Sequence, residues 1–436
     1  MLEKSRNQLL KIVKNSFVQQ SFVTLILRIF GVITLFGFTV FLTKTYPPKI
    51  VGQYDFVRSF LLVVGSVCLL GCDQSILYFK GRINSSDSLE GIKKVYVKMV
   101  VLLLLMSILV LFIFWNIDEE FVNNYFSDGR VYDVLLKAIM ILFFYGLTTL
   151  NTEVFRALDH FYVAELFRNT IKYIPLIVGA ILLYSFGLET YLVAVFLIGF
   201  VLLSIITTIL VFYYFSKAKI ENEITNFTYK EIFTKSYPIA ISGMALFLLM
   251  SFDILFLKKY RDDATVAFYS VAVKLMTILS MVIITVNITV SSKISEYFFS
   301  QSKADLIKTV RHGSRLIFFL TFPAMLIIFS FPEYILGFFG KGYTAAKDAL
   351  LILIIGQGIC SAFGTAPVYL NMTGRQHVFQ IILVIAVLIN FILNRLLIPE
   401  YGMTGAATAF VVSSIFWNSI SAVVIYKKDK VNVFLN

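Results

Sequence analysis

The stretch VGQYDFVRSFLLVV, residues 51–64, decides how the rest of the chain reads. Its second half opens an apolar run that continues to residue 79. About 20 apolar residues suffice for a helix to cross the hydrocarbon of a bilayer. Yet the run carries Arg58. A cation on such a helix either snorkels to the headgroups or faces a protein-lined or watery interior. Nearly the same line returns as VAFYSVAVKLMTIL, residues 266–279, with Lys274 one place on.

The whole chain supports the reading of that run as a membrane span. Its 436 residues are 58% hydrophobic and 15% charged, with mean hydropathy +0.84. Soluble domains are about 45–50% apolar and about 25% charged. Twelve apolar runs stand out, at 21–43, 57–79, 96–115, 133–151, 169–185, 190–215, 236–257, 266–292, 316–332, 345–369, 378–394 and 403–426. They do not alternate apolar and polar residues as the strands of a membrane barrel do. The fold class expected is an all-α polytopic membrane protein with about 12 transmembrane helices. The first run is too long for a signal-peptide core and has no small-residue cleavage site, so it reads as a retained span. Cys68, Cys72 and Cys360 lie within apolar runs and read as packing residues. His160, His312 and His377 fall in loops and form no zinc motif. No loop exceeds about 20 residues, so function must reside among the helices.

Charge placement sets the orientation. With the N-terminus inside, cytoplasmic segments hold 25 of the 38 Lys and Arg residues and external segments hold nine. Arg28, Arg58, Lys137 and Lys274 remain within the runs. The asymmetry places both termini in the cytoplasm. The net charge of +12 then reflects attraction to an anionic inner leaflet, with no need of nucleic acid.

Residues 51–64 align with 266–279 at a constant shift of 215, Tyr54 matching Tyr269. Loops after the matching runs follow in the same order. Two halves of six helices each are expected, at 1–220 and 221–436. An even number of spans per half gives both copies the same orientation, as in transporters that bind substrate between repeats. Arg28 sits mid-span, with Thr24 and Gly31 on its face, and snorkels less easily than Arg58. Lys274 has Ser270 and Thr277 on its face. Asp253 is placed either to pair with Lys274 or to face the interface. Lys137 reads as a snorkelling residue. Three cations inside a membrane suit an anion, and phosphate or diphosphate matches an arginine fork and a lysine point charge. Asn287, Gln357, Asn371 and Asn390 suit sugars, though each alone is more often a bond between helices.

Three stretches, LRIFGVITLFGFTVFLTKTYPPKIVGQYDFVRSF (27–60), LLGCDQSILYFKGR (69–82) and SFDILFLKKYRDDATVAFYSVAVKL (251–275), carry a resemblance. The chain resembles the Wzx-type polysaccharide and O-antigen repeat-unit flippases of the multidrug/oligosaccharidyl-lipid/polysaccharide (MOP) exporter superfamily. The resemblance implies a MATE-like V of two six-helix lobes around a cationic cavity. It implies movement of an undecaprenyl-diphosphate-linked oligosaccharide from the inner to the outer leaflet of a bacterial cytoplasmic membrane, for O-antigen or capsule. It implies substrate-binding roles for Arg28, Arg58 and Lys274, and an ion-coupled cycle driven by H+ or Na+, with Asp73 or Asp253 as the coupling carboxylate. Polysaccharide polymerase and chain-length machinery are the partners expected. No cofactor and no metal is expected, and no Walker motif supports direct use of ATP.

Two other readings compete. A multidrug exporter of the same superfamily would favour a carboxylate-lined cavity, against which the cationic spans argue. A membrane glycosyltransferase or polymerase would need an acidic catalytic pair or a large external loop. The chain offers only Asp118, Glu119 and Glu120 in a short one, so no enzyme activity is expected.

Overall fold

A backbone inside hydrocarbon has no water to bond with, so each apolar run must satisfy its own amides and carbonyls, which a helix does. The computed structural model describes residues 16–83, 88–217 and 227–434, and among them there are helices and turns but no strand. The first span is α1, Ser16–Thr45; α2, Pro48–Leu69, and α3, Cys72–Arg82, form the second; α4, Ser88–Trp115, is the third. A short α5, Glu119–Phe126, leads to the fourth, a pair bent by 44°, α6, Val131–Met140, and α7, Leu142–Ala157. The fifth joins α8, Phe161–Asn169, to α9, Ile174–Ser185, through one tight turn. Then come α10, Leu192–Ser216, α11, Tyr229–Tyr260, α12, Asp263–Phe299, and α13, Lys303–Ser330. After a short α14, Pro332–Gly337, follow α15, Lys347–Ser361, and a short α16, Ala366–Met372. The last two spans are α17, Gln376–Tyr401, and α18, Met403–Asp429. Eleven are long and apolar enough to cross a membrane, and the bent pair makes up to twelve. The chain is a multi-pass membrane protein.

Several spans start earlier than their apolar runs, the second and the fifth among them. The second begins at Pro48 rather than at residue 57. Proline suits the first helical position because its φ is preset and its missing N–H would have had no partner there. The fifth begins at Phe161 rather than at 169. In both, charged residues in the first turns break the apolar run without breaking the helix. Between α2 and α3 the break is real, since Leu70 and Gly71 both take positive φ, 49° and 72°.

Helix starts carry polar caps. The Asp262 carboxylate accepts from the Thr265 amide at 3.0 Å at the start of α12. Before α11, the Thr228 hydroxyl accepts from Glu231 N and the Glu231 carboxylate accepts from Thr228 N, a reciprocal box.

The helices sort into two compact units that interleave along the chain. The first runs to Phe41 and adds Val64–Ile117 and Leu135–Ala240; the second takes Leu42–Val63, Asp118–Val134 and the chain from Ile241. The boundary expected between 220 and 221 lies outside the described residues. Within the first unit, Tyr96 donates to Asn151, which donates in turn to Thr207 and Thr208, tying α4, α7 and α10. Ser75 and Ser236 share a 2.6 Å hydrogen bond between α3 and α11. Such buried polar bonds, with close packing, hold helices together where lipid supplies no hydrophobic drive. Within the second unit, Arg375 pairs with Asp429 at the end of α18, and Tyr369 donates to the same carboxylate. The tail beyond α18 is packed: Val431 and Val433 are buried, Ser314 donates to the Val433 carbonyl at 2.9 Å, and Phe434 meets Phe363 edge-on.

Candidate functional site

The first unit gathers charge around Glu165. A Cβ on Gly31 would stand 2.5 Å from the Asn169 Cβ and 2.8 Å from its carbonyl, so the bare glycine seats α1 against α8. One turn earlier on α1, Arg28 reaches the buried Glu165 as a fork, Nε to Oε2 at 3.1 Å and Nη2 to Oε1 at 3.0 Å. Arg156 and Asn169 each donate to the same carboxylate at 2.8 Å. Glu153, one turn before Arg156 on α7, pairs with both Arg156 and Arg168. Three guanidinium groups thus meet two carboxylates. Asp73, in the first turn of α3, lies within electrostatic reach of Arg168.

The second unit gathers charge around Asp55. The Cβ that Gly52 lacks would lie 1.7 Å from the Asp263 carbonyl, so the starts of α2 and α12 touch. One turn further along α2, the fully buried Asp55 meets Lys274 of α12, whose Nζ lies 2.8 Å from Oδ1 and 2.9 Å from Oδ2. Arg58, one turn beyond Asp55, brings Nε to 3.5 Å from Oδ1. Lys274 keeps 6% of its side chain exposed and Arg58 35%. Two cations thus stand on one carboxylate. Two buried hydroxyls, Ser270 on the face of Lys274 and Tyr343 within electrostatic reach of Asp55, have no hydrogen-bond partner among the described residues.

The structure therefore brings Arg58 and Lys274 together on Asp55, in the second unit, and places Arg28 on Glu165, in the first. It corrects one expectation outright. Lys274 does not pair with Asp253; Asp253 is buried, accepts from the Tyr269 hydroxyl at 2.5 Å and from the Ile254 amide at 3.1 Å. Arg58 also lies deeper than its apolar run implied, about 15 Å along the helix from Pro48 at 1.5 Å per residue. Among the polar residues read as sugar-binding, Asn287 donates to the Gly364 carbonyl and Asn390 accepts from Asn394. Sequence reading missed Asp55 and Glu165. The i, i+3 spacing of Asp55 to Arg58 was the available signal for the first; Glu165 was masked by its assignment to a basic loop.

Near the end of α11, Lys258 is bracketed by Asp263 at 2.7 Å and Asp128 at 2.6 Å. Partial burial pushes the Asp128 carboxyl up, but the Lys258 hydrogen bond and charge, with help from Lys49, outweigh it and hold it below its ordinary value.

Known proteins resemble this architecture. The chain is 25% identical over 252 residues to the probable low-salt glycan biosynthesis flippase Agl15 of Haloferax volcanii, covering 56% of this chain and 51% of that one. The chain thus spans about half the length of that curated relative. Its fold is similar to the inward closed conformation of the lipid II flippase MurJ, with TM-score 0.72 and 17% identity over 94% of this chain and 87% of that one. It is similar to an inward-facing MATE multidrug resistance transporter, with TM-score 0.70 and 14% identity over 94% and 99%. A MOP superfamily transporter from Pyrococcus furiosus, described by the reverse polarity of its binding pocket, matches at TM-score 0.61 and 13% identity over 93% and 92%. The MatE family matches residues 238–396. The family described as polysaccharide biosynthesis protein matches residues 13–292, well over half of the sequence, and the chain belongs to that family.

Proposed function

We propose that this protein is a flippase that moves undecaprenyl-diphosphate-linked oligosaccharide repeat units from the inner to the outer leaflet of a bacterial cytoplasmic membrane, for O-antigen or capsule. The observation that carries the reading is the Asp55 cluster, a buried carboxylate flanked by two cations within apolar helices. Ionisable groups at such depth are costly and mark substrate paths. Cations in such a setting suit the diphosphate of a lipid-linked sugar, whose tail stays in the bilayer. Arg58 and Lys274 belong to this cluster and Arg28 to the separate Glu165 network, and each is proposed as a substrate-binding residue. A relative named as a glycan biosynthesis flippase supports the same substrate class. Asp73 and Asp253 are the carboxylates proposed to couple transport to H+ or Na+. Residues 1–220 and 221–436 are proposed as two copies of one six-helix plan, with both termini cytoplasmic.

Deleting the gene and analysing lipid-linked sugars by leaflet tests the reading. Complete repeat units should accumulate on the inner leaflet. A truncated sugar chain would point to a transferase and overturn it.

A further inference from the structure

One face of α13 is buried along its length, and the opposite face is exposed. On the buried face, Ser314 donates to the Val433 carbonyl at 2.9 Å, and a Cβ on Gly313 would stand 2.8 Å from the Thr365 Cγ2. The rotation of the helix within the second unit is therefore fixed. The exposed face changes character at one point. Before it come Lys308, Arg311, His312 and Arg315, all exposed. After it come Leu316, Phe319, Leu320 and Ile327, each at least half exposed. Positions 308, 311, 315, 319, 322 and 326 recur at helical spacing, so the basic and apolar parts form one continuous stripe.

Apolar side chains exposed in this number on a membrane span belong against acyl chains, which puts the basic part at the level of the headgroups. From Lys308 to Arg315 it rises about 10 Å at 1.5 Å per residue, enough to cross a headgroup layer of roughly 5–8 Å. Other basic residues in the segments read as cytoplasmic stand on carboxylates, Lys80 on Asp159, Lys93 on Glu90 and Arg375 on Asp429. Lys308 and Arg311 belong to no ion pair among the described residues. Asp305, one turn before Lys308, accepts instead from the Ser302 hydroxyl at 2.7 Å. The His312 Nδ1 donates to the Lys308 carbonyl at 2.7 Å, a backbone contact that neutralises no charge.

We propose that this stripe is a binding site for an anionic phospholipid, with Lys308 and Arg311 on the headgroup phosphate and Leu316 and Phe319 against the acyl chains. An ammonium and a guanidinium one turn apart suit the oxygens of a phosphodiester. The apolar continuation selects a lipid over a soluble phosphate, which would leave that part of the stripe uncovered. The proposal stands apart from the flippase reading, because this lipid is a resident of the bilayer rather than the cargo.

The test uses the full chain with Cys68, Cys72 and Cys360 replaced, labelled with bimane at Leu316→Cys and placed in phosphatidylcholine nanodiscs. Spin-labelled phosphatidylglycerol should reach half-maximal quenching at an at least fivefold lower mole fraction than spin-labelled phosphatidylcholine. Lys308→Gln with Arg311→Gln should abolish that preference at normal protein yield. Lys427→Gln with Lys428→Gln removes the same charge from the end of α18 and should leave the preference within twofold. Equal quenching by the two lipids overturns the proposal. Equal loss in the two double variants overturns it as well, since overall surface charge would then draw the lipid. Excess inorganic phosphate at constant ionic strength should leave the quenching unchanged. Displacement of the lipid by phosphate would make the stripe a site for soluble anions and overturn the assignment to a phospholipid.

Discussion

At the scale of the residue, Arg28, Arg58 and Lys274, the cations read as substrate-binding, are each held by a carboxylate that drew no attention in the sequence. Arg28 and Arg156 lean on Glu165, which makes that carboxylate the more sensitive position. Glu165→Gln should lower stability by about 1.5–3 kcal/mol, the worth of hydrogen bonds to charged groups. Adding Arg28→Gln should recover part of the loss, since one orphaned charge is then gone. Thermal unfolding in detergent reads both. Asp128 gives a pH-dependent case. Its carboxyl titrates below its ordinary value in the folded protein, so its pairing with Lys258 contributes stability above the unfolded value, about pH 3.9, and loses it as pH falls through the folded one. Asp128→Asn should therefore lower the melting temperature at pH 7, and the gap to wild type should close under acid conditions below about pH 4. A gap that widens on acidification would contradict the sign. Of these contacts, the sequence revealed the cations through their cost in lipid. It could not reveal Glu165, because a carboxylate among basic residues reads as an ordinary loop charge until the helix that carries it is seen.

At the scale of the element, two glycines of similar helical setting should behave oppositely. Gly52 presses on the Asp263 carbonyl, whereas a Cβ on Gly37 would meet nothing within 4 Å. Gly52→Ala should force α2 away from α12 and destabilise the protein, with loss of the Asp55 to Lys274 contact. Gly37→Ala should be neutral or stabilising by up to about 0.5–1 kcal/mol, the helical preference for alanine over glycine. Equal melting temperatures for the two variants would refute the packing argument. Apolar length alone located the spans in the sequence, but it hid their starts. Gln53, Asp55 and Arg58 dilute the first turns of α2, and Glu165 and Arg168 do the same in α8. A helix tolerates these residues when they find partners, and partners are a property of packing rather than of hydropathy. The sequence aligned residues 51–64 with 266–279. That they lie against each other, joined by Asp55 and Lys274, was not legible, since alignment carries no distance.

At the scale of the whole molecule, orientation is the property to measure. The excess of basic residues in the loops proposed as cytoplasmic argues for one orientation of the spans. With Cys68, Cys72 and Cys360 replaced, a single cysteine at Asp118 should label from outside, and one at Gln301, in the turn between α12 and α13, only after permeabilisation. Labelling of both from the same side would rule out the assignment. The span count was readable because each crossing is obligatory in length and composition. The division into two units was not readable in the same way, because Leu42–Val63 and Asp118–Val134 pack with the later chain although they come early in it.

The packed tail has a practical consequence for handling the protein. Val433 is pinned by Ser314, and Phe434 rests on Phe363, so the chain is held against the second unit as far as Phe434. A fluorescent reporter or affinity tag fused there without a spacer pulls directly on a seated segment. A flexible linker should raise the yield of monodisperse protein in gel filtration relative to a direct fusion.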